Sequence, residues 1–252
     1  YRLFRQDKQA QPQLIAIIDH QPEQQFLYPE MQVFAKLFQQ AGIKTVIVDP
    51  AQLEIKDGNL CYQGQAIDLI YNRHCDFYLN APEMQHIAAA WQQQMVCLTP
   101  NPRVYGLLAD KQRMADWSHA EFFNDLLDPT ATSRLQQVIP YTQLLHAHPK
   151  ETLWAERKQK VFKPTTGYAS RGVYVGDKLT KSKLKSLEPH ATLVQHRIKP
   201  SITHAPDGEK FKTDFRLFVY RKTILAVSAR LYQGQVTNLR TANGGFSKIK
   251  LT

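Results

Sequence analysis

The chain has 252 residues, 43% of them hydrophobic, which is enough for two modest domains or one large one. Its formal net charge of +10 favours anionic partners such as nucleotides, nucleic acids or acidic peptides. No apolar run reaches the roughly 18 residues that a membrane span needs, and the cysteines lack the spacing of a zinc site or disulfide framework.

Predicted strands and helices alternate through the first hundred residues. Apolar residues at helical spacing predict one helix over about 27–41, which stops at Gly42, and a second helix is expected over about 82–93. Short apolar runs predict buried strands at 14–18, 45–48, 66–71 and 95–98. The alternation predicts an α/β domain with a mainly parallel sheet.

The second half of the chain changes character after a proline-rich segment. Residues 99–102, Thr-Pro-Asn-Pro, predict a rigid non-helical link, and helical patterns follow over about 103–117 and 119–127. Ser118 and Glu121 have the spacing of a capping box. From residue 152 onward the chain is β-rich, with one helix near 180–187 and strands expected at 160–164, 172–176, 191–198, 215–221 and 224–232.

The most informative segment runs from Lys163 to Val173. A strand that ends in lysine, a loop of small residues and a second strand together predict a hairpin that closes over a polyphosphate. Loop N–H groups face the phosphate oxygens, and the lysine neutralises charge. Gly167 and Gly172 have G-x4-G spacing, but Val173-Tyr174 follows where a P-loop requires Lys-Ser/Thr. An ordinary hairpin with a glycine-bearing turn is the alternative.

Three later segments carry further polar side chains at strand ends. Residues 192–200 predict a strand that ends in a polar turn, whose backbone groups suit the edge of an adenine ring. Residues 214–220 alternate polar and apolar, and a second strand with Arg230 follows a tight turn. Residues 236–245 place an amide, a guanidinium and a Gly-Gly turn together.

In this order the segments resemble the ATP-grasp superfamily, in particular its glutathione synthetase and RimK-like ligase branch, over nearly the whole chain. Asp110-Lys111 is similar to the family's D-K pair, and the stretch from Lys163 to Val173 fits its K-x3-G-x4-G-V loop. The segment from Gln195 to Ile198 is similar to the Q-E-Y-I hinge. Asp214-x-Arg216 is similar to D-x-R, and Asn238 with Gly244-Gly245 is similar to S-N-L-x-x-x-G-G.

The resemblance implies a mixed α/β (α+β) fold and ATP-dependent carboxylate–amine ligation. It implies a pre-ATP-grasp domain over 1–102, an ATP-grasp subdomain with the phosphate loop over 103–190, and the start of a second subdomain over 191–252. The reaction would form an amide or peptide bond through an acyl phosphate, with ATP and Mg2+ or Mn2+ as cofactors. The implied catalytic residues are Arg216, Arg230 and Asn238, and the implied nucleotide-binding residues are Lys111, Lys163, Gly167, Ser170, Arg171, Gly172, Gln195, His196, Ile198 and Asp214.

The sequence departs from the family pattern in four places. Ser170 replaces a loop glycine, His196 replaces the hinge glutamate, and Val236 stands where an arginine is common. The family's metal ligands, an Asp and then Glu-x-Asn, would lie beyond Thr252, so we expect the chain to be part of a longer polypeptide.

Other functions stay open at this stage. One alternative is a non-catalytic, regulatory ATP-binding module of the same fold, and another is a basic nucleic-acid-binding protein. Asp214 and Arg216 also suit a purely structural cross-strand ion pair. For the ligase we expect a small-molecule or peptide substrate with a carboxylate and an amine, no membrane or nucleic-acid partner, and a cytoplasmic setting because the cysteines fit a reducing compartment. An oligomer is left open.

Overall fold

The computed structural model describes residues 11–238 and 241–249, which belong to two compact units, residues 1–109 and residues 110–252. The predicted domain boundaries after residues 102 and 190 remain predictions. In the described part, no helix is long and apolar enough to cross a membrane.

The first unit is built around a parallel sheet with helices on both faces. Its sheet has the strand order β2-β1-β6-β7, and all three pairs are parallel. A small antiparallel sheet, β3-β4-β5, is formed by the segment between β2 and β6. The elements are β1 (Leu14–Ile18), α1 (Tyr28–Gln40), β2 (Lys44–Val48), β3 (Glu54–Lys56), β4 (Asn59–Tyr62), β5 (Gln65–Ala66), β6 (Leu69–Asn72), α2 (Gln85–Gln92), β7 (Cys97–Thr99) and α3 (Pro102–Val104).

The central strand β1 explains why this sheet is covered on both faces. All five of its residues are buried, as expected for an apolar run in a parallel sheet. Ile17 packs with Met31 of α1, while Ile18 on the other face packs with Ile87 of α2. The predicted α/β domain with a mainly parallel sheet is therefore confirmed.

Two local predictions in this unit are corrected. The strand expected at 66–71 is split between β5 and β6, because Asp68 leaves the strand and its carboxylate accepts from the backbone N–H groups of Gln13 and Leu14 at 2.7 and 3.0 Å. The link over 99–102 is not wholly non-helical, since Pro102 begins α3. Asn101 caps that helix by accepting from Val104 N at 3.0 Å, and proline is well suited to the first helical position.

The second unit contains two antiparallel sheets. Their strand orders are β10-β9-β11-β8 and β12-β13-β14-β15. The elements are α4 (Arg113–Asp116), α5 (Pro129–Val138), β8 (Thr142–Leu144), α6 (Lys150–Glu156), β9 (Lys160–Pro164), β10 (Tyr174–Val175), α7 (Lys181–Lys185), β11 (Thr192–His196), β12 (Ser201–His204), β13 (Lys210–Tyr220), β14 (Thr223–Tyr232) and β15 (Gly245–Lys248).

The helical patterns between residues 103 and 127 form only short turns in the structure. A π-helical turn covers Tyr105–Ala109, α4 follows, and a 3-10 turn covers Ala120–Phe123. The predicted capping box is wrong, because the Ser118 hydroxyl donates to Met114 O at 2.8 Å and accepts from Thr142 N at 2.8 Å. Helix α5 was not predicted, although Asp128-Pro129 is a typical helix start and Asp128 caps it.

The first sheet of this unit has one apolar face, and its opposite face, here called the polar face, carries polar side chains among apolar ones. On the apolar face, Phe162 of β9 and Val194 of β11 pack with Leu153 of α6 and with Leu179. Side chains alternate between faces along a strand, so Lys163 and Gln195 lie on the opposite face. That polar face is where the predicted nucleotide-binding residues gather.

Gly176, which follows β10, lies very close to the backbone of Arg157. A Cβ atom added there would lie 1.8 Å from the Arg157 carbonyl oxygen and 2.6 Å from its carbon. We expect Gly176→Ala to lower the free energy of unfolding by about 2–3 kcal/mol, because backbone must move to accommodate it. Calorimetric unfolding measures the change, and Gly106→Ala is the control, since its nearest neighbour is the Tyr78 hydroxyl at 3.7 Å. Equal stability of the two variants would contradict this packing.

A candidate nucleotide-binding site

Strand register brings three polar side chains together on the polar face of the first antiparallel sheet. Gln195 lies directly opposite Thr142 of β8, and it is diagonal to Lys163 of β9, which is paired with Leu193. Directly opposite and diagonal neighbours on one face are within reach of long side chains. Accordingly, Lys163 Nζ donates to Gln195 Oε1 at 2.6 Å, and Gln195 Nε2 donates to Thr142 Oγ1 at 2.8 Å.

Lys111 reaches the same region from the segment before α4. Its backbone N–H donates to Thr165 O at 3.0 Å, which fixes the segment to the end of β9. Its ammonium group donates to Gly167 O at 2.8 Å, within the predicted phosphate loop. Of the two lysines that the sequence singled out, Lys111 therefore contacts the predicted loop directly, and Lys163 precedes it near the end of β9.

Burial weakens the proton affinity of both ammonium groups. Burial, and to a smaller extent the positive charge of Lys111, lower the pKa of Lys163 to about 8. Burial also lowers the pKa of Lys111, against a smaller opposing effect of Asp110. Neither ammonium forms an ion pair with a carboxylate in the residues that the structure describes. Two half-buried like charges, neither within 4.0 Å of a carboxylate in the described residues, favour the binding of an anion.

The loop between β9 and β10 adopts a conformation that glycine favours. Gly167 and Gly172 have positive φ angles of 122° and 71°, as the sequence led us to expect of a flexible turn. Ala169 and Ser170 also have positive φ angles, 49° and 60°, which are uncommon for residues with a Cβ atom. Ser170 thus occupies a left-handed position that a glycine would adopt without strain.

A chain of hydrogen bonds connects this loop to the second sheet. The Ser170 hydroxyl donates to Thr237 O at 3.2 Å, and the Thr237 hydroxyl donates to Asp214 Oδ2 at 3.0 Å. Asp214 in turn accepts from Arg230 Nε at 2.6 Å, across the register pair of β13 and β14. The ion pair of Asp214 is therefore with Arg230 rather than with Arg216.

A cavity of about 220 Å3 lies between the loop and these two sheets. Part of its lining is apolar, including Val161, Val173 and Ile198, and such walls suit the flat face of a nucleobase. Its other lining residues include Ser170, Arg197, Lys212, Tyr232, Gln235 and Thr237. Ile198 is among the predicted nucleotide-binding residues, and its side chain is 65% exposed.

The remaining predicted residues take positions around this core. His196 is exposed, and its backbone N–H donates to Tyr141 O at 2.9 Å. Arg171 is exposed and donates to the Tyr168 hydroxyl at 2.8 Å. Arg216 is exposed and lies over the ring of Phe246, with the guanidinium carbon 5.6 Å from its centroid. In the part of the chain that the structure describes, none of these three residues is hydrogen-bonded to Lys111 or Lys163.

The turn after β14 is held by its own side chains. Asn238 Nδ2 donates to Gln233 O at 2.8 Å, and its Oδ1 accepts from the Thr241 hydroxyl at 2.9 Å. Gly244 approaches the strand closely, since an added Cβ atom would lie 2.6 Å from Leu231 O. Residues 239 and 240, which belong to the same predicted motif, lie outside the described residues.

Positive charge is concentrated in the unit that carries this site. Residues 110–252 contain 24 Lys and Arg against 12 Asp and Glu, whereas residues 1–109 contain 8 against 10. Their net charges are therefore +12 and −2. This distribution favours an anionic ligand at the second unit.

One group of metal-ligand side chains occurs in the described residues, in the first unit, and its geometry disfavours a metal. It consists of His20, His74 and Glu83. His74 Nδ1 accepts from the Asp76 backbone N–H at 3.1 Å, so the neutral ring carries its proton on Nε2. That nitrogen faces Glu83 Oε1 at 3.9 Å, and a protonated ring nitrogen does not bind a metal.

Comparison with known proteins identifies the fold. No protein-family model and no curated protein matches the sequence. A protein named as a gamma-glutamylcysteine synthetase from Methylobacillus flagellatus KT aligns over 90% of this chain and 64% of its own, with a TM-score of 0.55 and 10% identity. The ATP-grasp ligase PsnB, complexed with a phosphomimetic variant of minimal precursor, Mg and ADP, aligns over 96% of this chain and 79% of its own, with a TM-score of 0.52 and 12% identity. The chain has the fold of the ATP-grasp ligases.

The predicted fold class is thereby confirmed, and the finer assignment to the RimK-like branch stays a prediction. At 10–12% identity these likenesses concern the fold alone. The chain spans 64% of the length of the first of these proteins. Sequence reasoning missed Thr142, Met114 and Thr237, each of which contacts a predicted site residue.

The electrostatics of the site give a direct prediction. We expect the Lys163 ammonium to titrate near pH 8, well below other lysines, in an NMR titration of carbon-13-labelled lysine side chains. Lys111→Gln should raise the pKa of Lys163, because a like charge is removed, although burial keeps it below the usual value. The Lys163→Arg variant assigns the signal. A pKa of Lys163 that Lys111→Gln leaves unchanged would contradict the proximity of the two charges.

Proposed function

We propose that this chain binds ATP in the cavity under the 165–173 loop and takes part in ATP-dependent carboxylate–amine ligation. The observation that carries the proposal is the pair of half-buried lysines, Lys111 and Lys163, without a carboxylate partner in the described residues. A polyphosphate supplies the missing counter-ion. Charged groups that are buried need such a partner, and oriented lysines bind phosphate oxygens strongly.

The cavity offers apolar contacts to a nucleobase, and Lys111 and Lys163 lie outside its lining. Val161 and Ile198 line the cavity and offer apolar contact to the base. Lys163 is two residues after Val161 on β9, so both side chains lie on the same face of the sheet. The Ser170–Thr237 hydrogen bond holds the loop against the second sheet. This arrangement would orient the phosphates towards Lys111 and Lys163, and positioning with charge neutralisation provides most of the catalysis in phosphoryl transfer.

When bound, ATP would supply the γ-phosphoryl group to a carboxylate, which would give an acyl phosphate and release ADP; attack by an amine would then form the amide and release phosphate. In this chain, Arg216 is an exposed guanidinium that can clamp a carboxylate bidentately. Arg230 is already bound to Asp214, so we assign it to support of the strand pair beside the site. Asn238 stabilises the turn after β14 through its side-chain hydrogen bonds. Val236 and Thr237 in the same turn line the cavity.

The described residues of the second unit contain no group of three or more His, Cys, Asp or Glu side chains that could hold a metal ion. The one group of three ligand side chains found lies in the first unit and is disfavoured by the His74 tautomer. Mg2+ usually binds to few carboxylates and several phosphate or water oxygens. We therefore propose Mg2+ or Mn2+ as a companion of the nucleotide and assign no step to it.

For the substrates we propose a peptide or small molecule with a carboxylate and an amine. The net charge of +12 in residues 110–252 favours an acidic one. The ATP-grasp ligase PsnB, which has a similar fold, has been solved with a phosphomimetic variant of its minimal precursor, Mg and ADP. The fold does not favour the regulatory-module and nucleic-acid alternatives.

Nucleotide binding tests the proposal. We expect a non-hydrolysable ATP analogue to bind in calorimetry, more tightly with Mg2+, and we expect Lys163→Ala to weaken binding by at least tenfold through loss of a charged hydrogen bond. The matched control is Lys158→Ala, a lysine with an exposed side chain outside the cavity lining, which should bind as the wild type does. Absence of binding by the folded wild type would overturn the proposal.

The pH dependence of binding gives a second test. Phosphate raises the pKa of Lys163 on binding, so affinity is full below the free-state pKa of about 8 and falls as pH rises through that value. Lys163→Arg keeps its charge at every accessible pH, so its affinity should be nearly constant from pH 7 to pH 9.5. Equal pH profiles for the two proteins would show that Lys163 does not hold the phosphates.

A further inference from the structure

We propose that Thr142, a fully buried residue, positions Lys163 for phosphate by fixing the orientation of the Gln195 amide. This inference rests on the proposed function for its consequence, but its first step concerns only the three side chains. Thr142 is fully buried, with 0% of its surface exposed, and it does not line the cavity. Its role would be that of a positioning residue.

The proton of the Thr142 hydroxyl decides the orientation. That hydroxyl donates its single proton to Pro140 O at 2.8 Å, so its oxygen can only accept from Gln195. The partner at 2.8 Å is accordingly Gln195 Nε2, an amide donor. The amide oxygen then points the other way, towards Lys163 Nζ at 2.6 Å.

Both ends of the amide agree on this orientation. An ammonium group has three donors and no acceptor, so Lys163 can bond only to Oε1. If the amide were reversed, its NH2 group would face the Lys163 ammonium. Two buried donors would then face each other, and neither would have the acceptor that it has now. Gln195 is itself 8% exposed, so water does not replace either partner freely.

The backbone of Thr142 is held as firmly as its side chain. Its N–H donates to the Ser118 hydroxyl at 2.8 Å, and Ser118 donates to Met114 O at 2.8 Å. Met114 Sδ lies 3.9 Å from Lys163 Nζ and 3.8 Å from Gln195 Nε2. The helical turn of α4 and strand β8 thus enclose the amide from two sides.

The consequence for Lys163 is a fixed ammonium position with a donor to spare. One proton bonds to Gln195 Oε1 and one faces the weak acceptor Met114 Sδ, which leaves one for a phosphate oxygen. The other charged group close to it is Lys111, which has Asp110 beside it. Without the amide oxygen, the repulsion from Lys111 would act on a lysine that nothing anchors.

The test compares Thr142→Val with Thr142→Ser. Valine has the same shape but no acceptor, whereas serine keeps the hydroxyl. We expect Thr142→Val to weaken binding of the ATP analogue by about tenfold and to lower the pKa of Lys163, because Gln195 Nε2 loses its acceptor and the amide oxygen is no longer held in place against the ammonium. Thr142→Ser should stay within about threefold of wild type in affinity, with the pKa of Lys163 preserved.

A second pair of variants separates orientation from structural damage. In Gln195→Glu both ends of the side chain carry oxygen, so no orientation is needed. Adding Thr142→Val to Gln195→Glu should therefore leave the pKa of Lys163 unchanged, although any loss of packing at residue 142 would persist. An equal pKa change in the glutamine and glutamate backgrounds would overturn the proposal. If Thr142→Val alone does not fold, a different pKa of Lys163 in Gln195→Glu and in the double variant would by itself overturn the proposal, because a carboxylate has no amide orientation for Thr142 to fix.

Failure of this inference is distinguishable from failure of the proposed function. If the wild type binds no nucleotide, the ligase proposal fails, while the pKa of Lys163 in Thr142→Val still decides the orientation. If the wild type binds the analogue and Thr142→Val binds it equally well with the same pKa of Lys163, the positioning role is wrong and the ATP site stands.

Discussion

The candidate site in the second unit depends on the burial of two ammonium groups, those of Lys111 and Lys163. Burial and the charge of Lys111 together lower the pKa of Lys163 to about 8. A shift of that size corresponds to a cost of roughly 3 kcal/mol for keeping the Lys163 ammonium charged in the folded protein rather than in water. Such a buried pair of positive charges is expected where an anionic ligand neutralises them. Titratable groups with strongly shifted pKa values often mark a functional site.

Several otherwise separate features follow from that constraint. The register of β8, β9 and β11 aligns an amide acceptor with Lys163, and Gly167 O provides an acceptor for Lys111. The loop above them is connected to the second sheet through Ser170, Thr237 and Asp214. The charge of the site is thus stabilised by neutral acceptors, which leave room for an anion, rather than by carboxylates, which would exclude one.

The sequence predicted the parts of this site that are local in the chain. Lys163, Gly167 and Gly172 follow one another in a strand and turn whose pattern is legible without the fold, and the positive φ angles of both glycines agree with it. The parallel sheet of the first unit was likewise readable from apolar runs. Thr142 was not predictable in the same way, because it contacts Gln195 across 53 residues through a three-residue strand with no periodic signal. The partner of Asp214 was equally hidden, since only the register of β13 and β14 places Arg230 opposite it.

The most direct measurement of the central claim is the pKa of Lys163 with and without a saturating, non-hydrolysable ATP analogue, followed by NMR of labelled lysine side chains. If phosphate supplies the missing counter-ion, the titration midpoint rises from about 8 towards the value of an ordinary lysine when the analogue is present. A midpoint that stays near 8 in the saturated protein would show that the nucleotide does not reach Lys163, and the assignment of this lysine pair as a phosphate site would be wrong.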